Sequence, residues 1–303
     1  MTGFVNRIER MESLDPGARL IQKLLSRTIP QQSTRKDLLS GTWLGRPLHP
    51  ALTDVVIGTW ISSALLDHAS GARGNKAADH LLLIGNVSAL PTIAAGLSDW
   101  AELWGEQQRL GSVHALGNGA ALALQVVSHR ARRAGRRRAG KLLSLAAVLT
   151  AGGSAYLGGH LSFVKGVGVN RTAFEVPPQE WTPVIADQDL AEDTPTPARA
   201  GDIGLLLYRR DQEVYALSDR CTHRGCALHL GQVNDLKVEC PCHGSIFRLT
   251  DGGVLKGPAT VPAPVYDVRR RDGNVEVRRL VAPQWGRRPA GGAGGSGISS
   301  GGA

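Results

Sequence analysis

Four apolar stretches, at about 50–70, 78–99, 110–129 and 142–163, follow one another along this 303-residue chain. Each is close to the roughly 20 residues that cross a bilayer as a helix. No other feature constrains the fold as tightly, because a backbone placed in hydrocarbon must satisfy its polar groups internally and is therefore helical or closed into a barrel. The second stretch holds Leu81-Leu82-Leu83-Ile84-Gly85-Asn86-Val87, and the fourth is uncharged apart from His160. Gly and Ala are abundant in all four, which suits close packing in a membrane bundle. Trp43, Trp100 and Trp104 fall just outside helix ends on one expected side, where an interfacial aromatic belt belongs. Trp60, inside the first stretch, reads as core. The rival reading is a soluble helical bundle.

Charge orients such a bundle. The formal net charge is +9, with the excess in Arg130, Arg132, Arg133, Arg136, Arg137, Arg138 and Lys141. A basic loop beside an apolar segment is a topology signal more often than a nucleic-acid patch, so no nucleic-acid partner is expected. The loop from Ala101 to Arg109 has one basic and two acidic residues. The basic loop is therefore expected in the cytoplasm of a bacterial cell, with both termini and the C-terminal domain on the extracytoplasmic side. Against this stands a fairly basic N-terminal segment that would have to be translocated. That segment, 1–48, has apolar positions at Ile8, Met11, Leu14, Leu20, Ile21, Leu24 and Leu25 around Asp15-Pro16-Gly17. It predicts two short amphipathic helices lying on an interface or on the rest of the protein. No apolar core follows a basic start, so no secretory signal peptide is expected.

The chain divides into the amphipathic segment 1–48, a four-helix transmembrane domain 49–163, a linker 164–176, a β-rich domain 177–281 and a Gly-rich tail 282–303. The tail is too poor in apolar residues to order itself. All four cysteines fall between Cys221 and Cys242 in the β-rich domain. Cys221-Thr222-His223 gives C-x-H, and Cys240-Pro241-Cys242-His243 follows a 16-residue gap with C-x-x-H. Two thiolates for one iron and two imidazoles for the other is the ligand set of a Rieske [2Fe–2S] centre. A zinc ribbon can use the same donors, but rarely at this spacing inside an all-β domain.

At these residues the chain resembles the Rieske family over about 175–281. Val214-Tyr215-Ala216-Leu217 leads into the first window, and Asp251-Gly252-Gly253-Val254 follows the second. The resemblance implies an antiparallel β-sandwich or partial barrel, with the cluster at one tip on Cys221, His223, Cys240 and His243. Gly257 and Pro258 look like the proline loop that covers the cluster, and Ser245 matches a hydrogen-bond donor to it. Cys226 and Cys242 occupy the positions that form a disulfide in the Rieske proteins of quinol:cytochrome c oxidoreductases; two free thiols are the alternative. Phe247 stands where those proteins carry a Tyr, and Arg224 where they carry an apolar residue, as in ferredoxin-like members. The motif Gly45-Arg46-Pro47-Leu48-His49-Pro50 with Gly58-Thr59-Trp60 resembles a bacterial four-helix membrane domain that occurs fused to Rieske domains and has no assigned activity.

If the four helices alternate in direction, His49, Asp99, His114 and His160 share one membrane face. Ionisable groups in membrane segments are costly and mark a functional site, here one for haem b or a quinone. The bland alternative is interfacial groups satisfied by headgroups and water. The whole chain then reads as a membrane-anchored electron carrier passing single electrons between a redox partner protein and an acceptor, not a self-contained enzyme. The rivals are a quinol-oxidising subunit of a respiratory complex and the ferredoxin-type component of an oxygenase system. An oxygenase itself needs a 2-His-1-carboxylate iron site, and no domain to hold one is expected after His243. The sequence leaves the oligomeric state open.

Overall fold

A computed structural model describes residues 2–280; the Gly-rich tail 282–303 and the last residue of the expected β domain, Val281, lie outside the described residues. Three short helices open the chain, α1 (Thr2–Glu9), α2 (Asp15–Thr28) and α3 (Thr34–Ser40). Four long ones follow, α4 (Leu48–Ala69), α5 (Asn75–Trp100), α6 (Gly105–Arg133) and α7 (Arg137–Phe163), joined by short turns. The turns set each helix beside its predecessor, so α4 packs along α5 and α6 along α7. Between the pairs lie Val56, Trp60, Leu82, Ala89, Ala121 and Ala151. Small residues permit this approach. A Cβ at Gly85 would stand 2.4 Å from the Trp60 ring, whose Nε1 donates to Asn86 Oδ1 at 3.1 Å.

The bundle buries several polar side chains beside its apolar ones while leaving many large apolar side chains exposed. Ser63, Gln125, Ser128 and Ser144 are fully buried, whereas Leu65, Leu83, Ile84, Leu116 and Leu149 are exposed. That pattern is what a lipid solvent demands and what water penalises. α5, α6 and α7 are long and apolar enough to cross a membrane, with mean hydropathies of 1.6, 1.3 and 1.4. α4, which carries Asp54 and Asp67, is not among them. So three of the four expected spans meet the criterion by length and composition.

Trp43 and Trp104 are exposed, as an interfacial belt requires. Trp100 departs from the expectation. It is buried, and its Nε1 donates to Gln108 O at 3.1 Å, so it closes the α5–α6 turn instead of facing headgroups. Of the two expected surfaces, the rest of the protein is the one the N-terminal helices meet. α1 inserts Val5 and Ile8 against Leu110, Leu157 and Leu161. α2 is tied to the α5–α6 turn by Gln22, which donates to Ala101 O and Leu103 O at 2.9 Å, yet leaves Leu20, Ile21 and Leu24 exposed.

At the opposite end of the bundle the basic run is partly internal. Arg132, with its side chain 1% exposed, pairs with Asp67 and, at 3.0 Å, with Asp79. Arg137 pairs with Asp67 at 3.0 Å and Asp79 at 2.7 Å, and Lys141 donates to Asp67 O.

Among the described residues the C-terminal domain is all β, with ten strands in three antiparallel sheets. β1 (Thr182–Ala186), β10 (Asn274–Arg279) and β9 (Tyr266–Arg271) form the first, in that order. β2 (Thr196–Ala200), β3 (Ile203–Arg210) and β4 (Glu213–Ser218) form the second. β5 (Gln232–Asn234), β6 (Lys237–Glu239), β7 (Ile246–Arg248) and β8 (Val254–Lys256) form the third. One core lies around Leu205, Leu207, Val275 and Val277. A second, around Leu217, Val238, Phe247 and Leu249, includes Cys221 and Cys240 and so supports the cysteine loops directly.

Asp67→Ala would leave the buried guanidinium of Arg132 only its contact with the half-buried Asp79, and removing one partner of a buried ion pair costs up to about 3–5 kcal/mol. Thermal unfolding of the detergent-solubilised protein should show a large fall in Tm for this variant. Arg138→Ala, at an exposed position, should leave Tm within error.

Candidate metal centre

The two ligand windows differ in spacing but form the same backbone turn. Cys221 N–H donates to Cys226 O at 2.8 Å and Gly225 N–H to Cys221 O at 2.8 Å. In the second window Cys240 N–H donates to Ser245 O at 2.8 Å and Gly244 N–H to Cys240 O at 3.0 Å. Gly225 and Gly244, each four residues after its cysteine, sit at φ +82° and +72°, in the left-handed region that glycine enters at least cost. The loops lie between β4 and β5 and between β6 and β7, and Cys226 and Cys242 join them in a disulfide. Cys221 and Cys240, both buried, are the cysteines left free. The rings of His223 and His243 converge, centroids 5.1 Å apart and nearly perpendicular.

The local chemistry suits a metal. Hydrogen bonding with the Cys221 side chain pulls the Cys240 thiol down to about 7, and backbone N–H groups of Cys242 and His243 add to this. Burial takes the His243 imidazole down to about 4, so it is neutral, as a ligand must be, at ordinary pH. Two free thiols and two imidazoles in two parallel turns therefore fit a [2Fe–2S] cluster bound by two Cys and two His. Ser245, fully buried, accepts a hydrogen bond from Ala259 N–H at 3.0 Å and keeps its own hydroxyl proton to donate. Phe247, also fully buried, has no hydroxyl to offer.

The tip carrying these loops is seated on the helical half. Glu102, in the α5–α6 turn, places Oε2 2.9 Å from His223 Nε2 and Oε1 2.6 Å from Lys36 Nζ. Lys36, only 2% exposed, also donates to Ser98 O and Ser98 Oγ at 3.0 Å. Burial alone would raise the Glu102 carboxyl, but the His223 hydrogen bond and the Lys36 charge prevail and hold it down at about 2. Trp104 stacks on His243 at 6.3 Å between centroids, and the Arg224 guanidinium lies 4.7 Å over the same indole while donating to Gln107 Oε1 at 2.6 Å. The proline loop docks on the segment around α3: Gly257 N–H donates to Asp37 Oδ1 at 2.8 Å and Thr42 Oγ1 to Ala259 O at 3.3 Å. A Cβ at Gly257 would meet Thr42 Oγ1 at 2.3 Å. Even the linker is bound, since Arg171 N–H donates to Thr222 O at 3.1 Å.

Between tip and helices lies a cavity of about 290 Å³ whose walls include His49, Asp99, His114, Glu102, His223 and Pro258. Three of the four membrane residues singled out from sequence therefore meet at one place, and the cluster loop closes it. His160 does not line it; its Nε2 lies 3.7 Å from Glu9 Oε1 on α1. Sequence reading missed Glu102, Lys36 and Asp37. No local pattern marks a carboxylate in a turn as the partner of a histidine 121 positions away.

Comparison with known proteins agrees with this geometry. Residues 180–267 match the family described as "Rieske [2Fe-2S] domain", and 45–171 match "Predicted membrane protein (DUF2231)". The anthranilate 1,2-dioxygenase ferredoxin subunit of Burkholderia cepacia is 37% identical over 98 residues, 32% of this chain and 91% of the relative. The cytochrome b6-f complex iron-sulfur subunit 1 of Synechocystis is 34% identical over 115 residues, 35% of this chain and 64% of the relative. Among solved structures, the ferredoxin of carbazole 1,9a-dioxygenase from Nocardioides aromaticivorans IC177 is 25% identical, with a TM-score of 0.32, over 34% of this chain and 100% of its own.

Glu102 places a negative charge beside the His223 imidazole, and a negative charge near a cluster held there would disfavour an added electron. Glu102→Gln keeps a hydrogen-bonding group there and removes the charge, so voltammetry should show the midpoint potential rising by something on the order of tens of millivolts. An unchanged potential would mean that the carboxylate does not sit at the ligand.

Proposed function

Since the chain belongs to the Rieske [2Fe-2S] family and joins that domain to a DUF2231 membrane domain, we propose that it is a membrane-anchored one-electron carrier that works with its cluster tip seated on its own membrane half. Cys221 and Cys240 would hold one iron and His223 and His243 the other, and the bound cluster supplies one-electron transfer. The rest of the chain places and shields that group. The Cys226–Cys242 disulfide ties the two loops together, Ser245 offers a hydrogen bond that favours the reduced state, and Glu102 fixes the His223 ring from its Nε2 side. The observation that carries this reading is the Glu102 contact, because His223, which would hold the cluster, meets the helical half there.

The electron partner on the aqueous side is a redox protein. Relatives named as a dioxygenase ferredoxin subunit and as a cytochrome b6-f iron-sulfur subunit both point to exchange between proteins. Arg224 and Phe247 favour the ferredoxin-like reading; the disulfide and the cavity behind His223 favour a membrane-side electron donor. Four helices crossing the bilayer suit the packing of α4 along α5. Exposed Arg130, Arg133, Arg136 and Arg138 on the turn far from the β domain favour a bacterial cell membrane with that turn in the cytoplasm and the β domain outside. A disulfide persists best in that location.

Dithionite-reduced full-length protein should give the rhombic low-temperature EPR signal of a His-ligated [2Fe–2S] cluster at about one spin per chain. Cys240→Ser should lose both the signal and the bound iron. A colourless wild-type protein carrying zinc would contradict the reading.

A further inference from the structure

Seating the tip on the helical half leaves the cysteine loops one open side among the described residues. His223 Nε2 is closed off by Glu102, whose side chain is 3% exposed. The proline loop is covered by Asp37 and Thr42, and Gly244 lies against Gln32, where a Cβ would stand 3.0 Å from Gln32 Cγ. Around His243, by contrast, Pro241 and Cys242 are exposed, and so is Trp104, at 62%. Trp104 belongs to the helical half, yet its indole stacks on the His243 ring with the planes 11° apart. Its neighbours Trp100 and Leu103 turn inward and are buried, whereas Trp104 sits in extended backbone at the start of α6. Gln107, in the first turn of α6, holds the Arg224 guanidinium that lies over the same indole. One turn of helix therefore clasps both cysteine loops. Exposure alone would also suit an indole among lipid headgroups. Trp43 is as exposed, but among the described residues it stacks on no ring and meets no guanidinium.

We propose that Trp104 is the centre of a docking surface for a soluble one-electron redox protein with an acidic rim, and that electrons cross to it through the Trp104–His243 stack. The inference rests on the one-electron-carrier reading above and names where the aqueous partner binds. Electron tunnelling falls off exponentially with the gap between centres, so a partner must touch a group packed on the residues that would hold the cluster. Trp104 is such a group, and it is open to a partner too large to enter the cavity behind His223. Trp and Arg are also the side chains that most often carry the binding energy of an interface, and here Trp104 and Arg224 are in contact. The charge around them is positive. Arg171 packs on Gly225 in the same loop as Arg224, and the exposed Arg27 and Arg35 flank the stretch that reaches Gly244. Of the acids nearby, Glu102 is buried and paired with Lys36, Glu239 accepts from Gln32, and the exposed Glu106 is paired with Lys165 at 3.1 Å. An acidic rim on the partner therefore meets an uncompensated basic one, which steers encounter and fixes orientation.

The step is a single electron transfer. One electron leaves the reduced cluster and enters the metal or flavin centre of the partner. The indole bridges the two without being oxidised, and no bond or proton changes hands there.

The probe is plastocyanin, an acidic one-electron copper protein. Full-length protein in lipid nanodiscs is reduced with dithionite, freed of excess reductant and mixed with oxidised plastocyanin in a stopped-flow instrument, where bleaching of the copper band is followed. Wild type should transfer its electron at a second-order rate that falls steeply as salt rises from about 0.01 to 1 M. Trp104→Ala should lower that rate about tenfold or more, and calorimetry with both proteins oxidised should show the affinity falling in parallel. Trp104→Phe should keep most of the wild-type rate, and Trp43→Ala should match wild type. Equal rates in wild type and Trp104→Ala would overturn the proposal, as would a wild type that ferricyanide oxidises but plastocyanin does not. A faster Trp104→Ala would make the indole a shield, and a lower Tm with unchanged transfer would make it a headgroup anchor; each of these also overturns it. EPR on the same samples keeps the two readings apart: an intact cluster signal without docking removes only this surface, whereas a missing wild-type signal removes the carrier itself.

Discussion

The carboxylate of Glu102, closed between Lys36 and His223, is the interaction on which the arrangement of this protein depends. A carboxylate and an ammonium that are both almost fully buried are costly to desolvate, and such a pair is tolerable only with good geometry and further hydrogen bonds. Here the second oxygen of Glu102 meets the His223 imidazole, and the ammonium also reaches two oxygens of Ser98. The three elements involved are a helix before the bundle, a turn within it and a loop of the β domain. Moving the β domain away would leave a buried charge half-satisfied. Burial of this kind adds little net stability but selects one orientation of the two halves.

Much of this arrangement is legible in the amino-acid sequence. The ligand windows are legible because the chemistry admits few alternatives: soft donors, neutral imidazoles and a glycine at the left-handed position of each turn are all written locally. The bundle is legible because length and apolarity are set by the bilayer. Other features depend on partners distant in the chain. Arg132, Arg137 and Lys141 belong, by sequence, to a uniform basic loop, yet each spends its charge or its protons on Asp67 or Asp79. Trp100 has the position of an interfacial residue, but the α5–α6 turn folds over it. His160 shares the membrane face of His49 and His114 but is turned to α1, which sequence periodicity does not register.

The apolar exterior of the bundle and the all-β domain call for different solvents, and the cluster tip sits where the two halves meet. That placement explains why the N-terminal segment matters. Gln32 contacts Glu239 and Lys256, Asp37 holds the proline loop, and Lys36 neutralises Glu102. A segment that reads as short amphipathic helices lying on an interface or on the rest of the protein is the clamp between the helical and β domains.

On this geometry the cluster stays docked on the membrane half instead of swinging on a tether. Pulsed EPR tests it directly, by measuring the distance between the reduced cluster and a nitroxide on a cysteine introduced at the exposed position Leu65 of α4. A docked tip predicts one narrow distance distribution, unchanged between detergent and lipid nanodiscs. A broad or multi-peaked distribution would contradict the account.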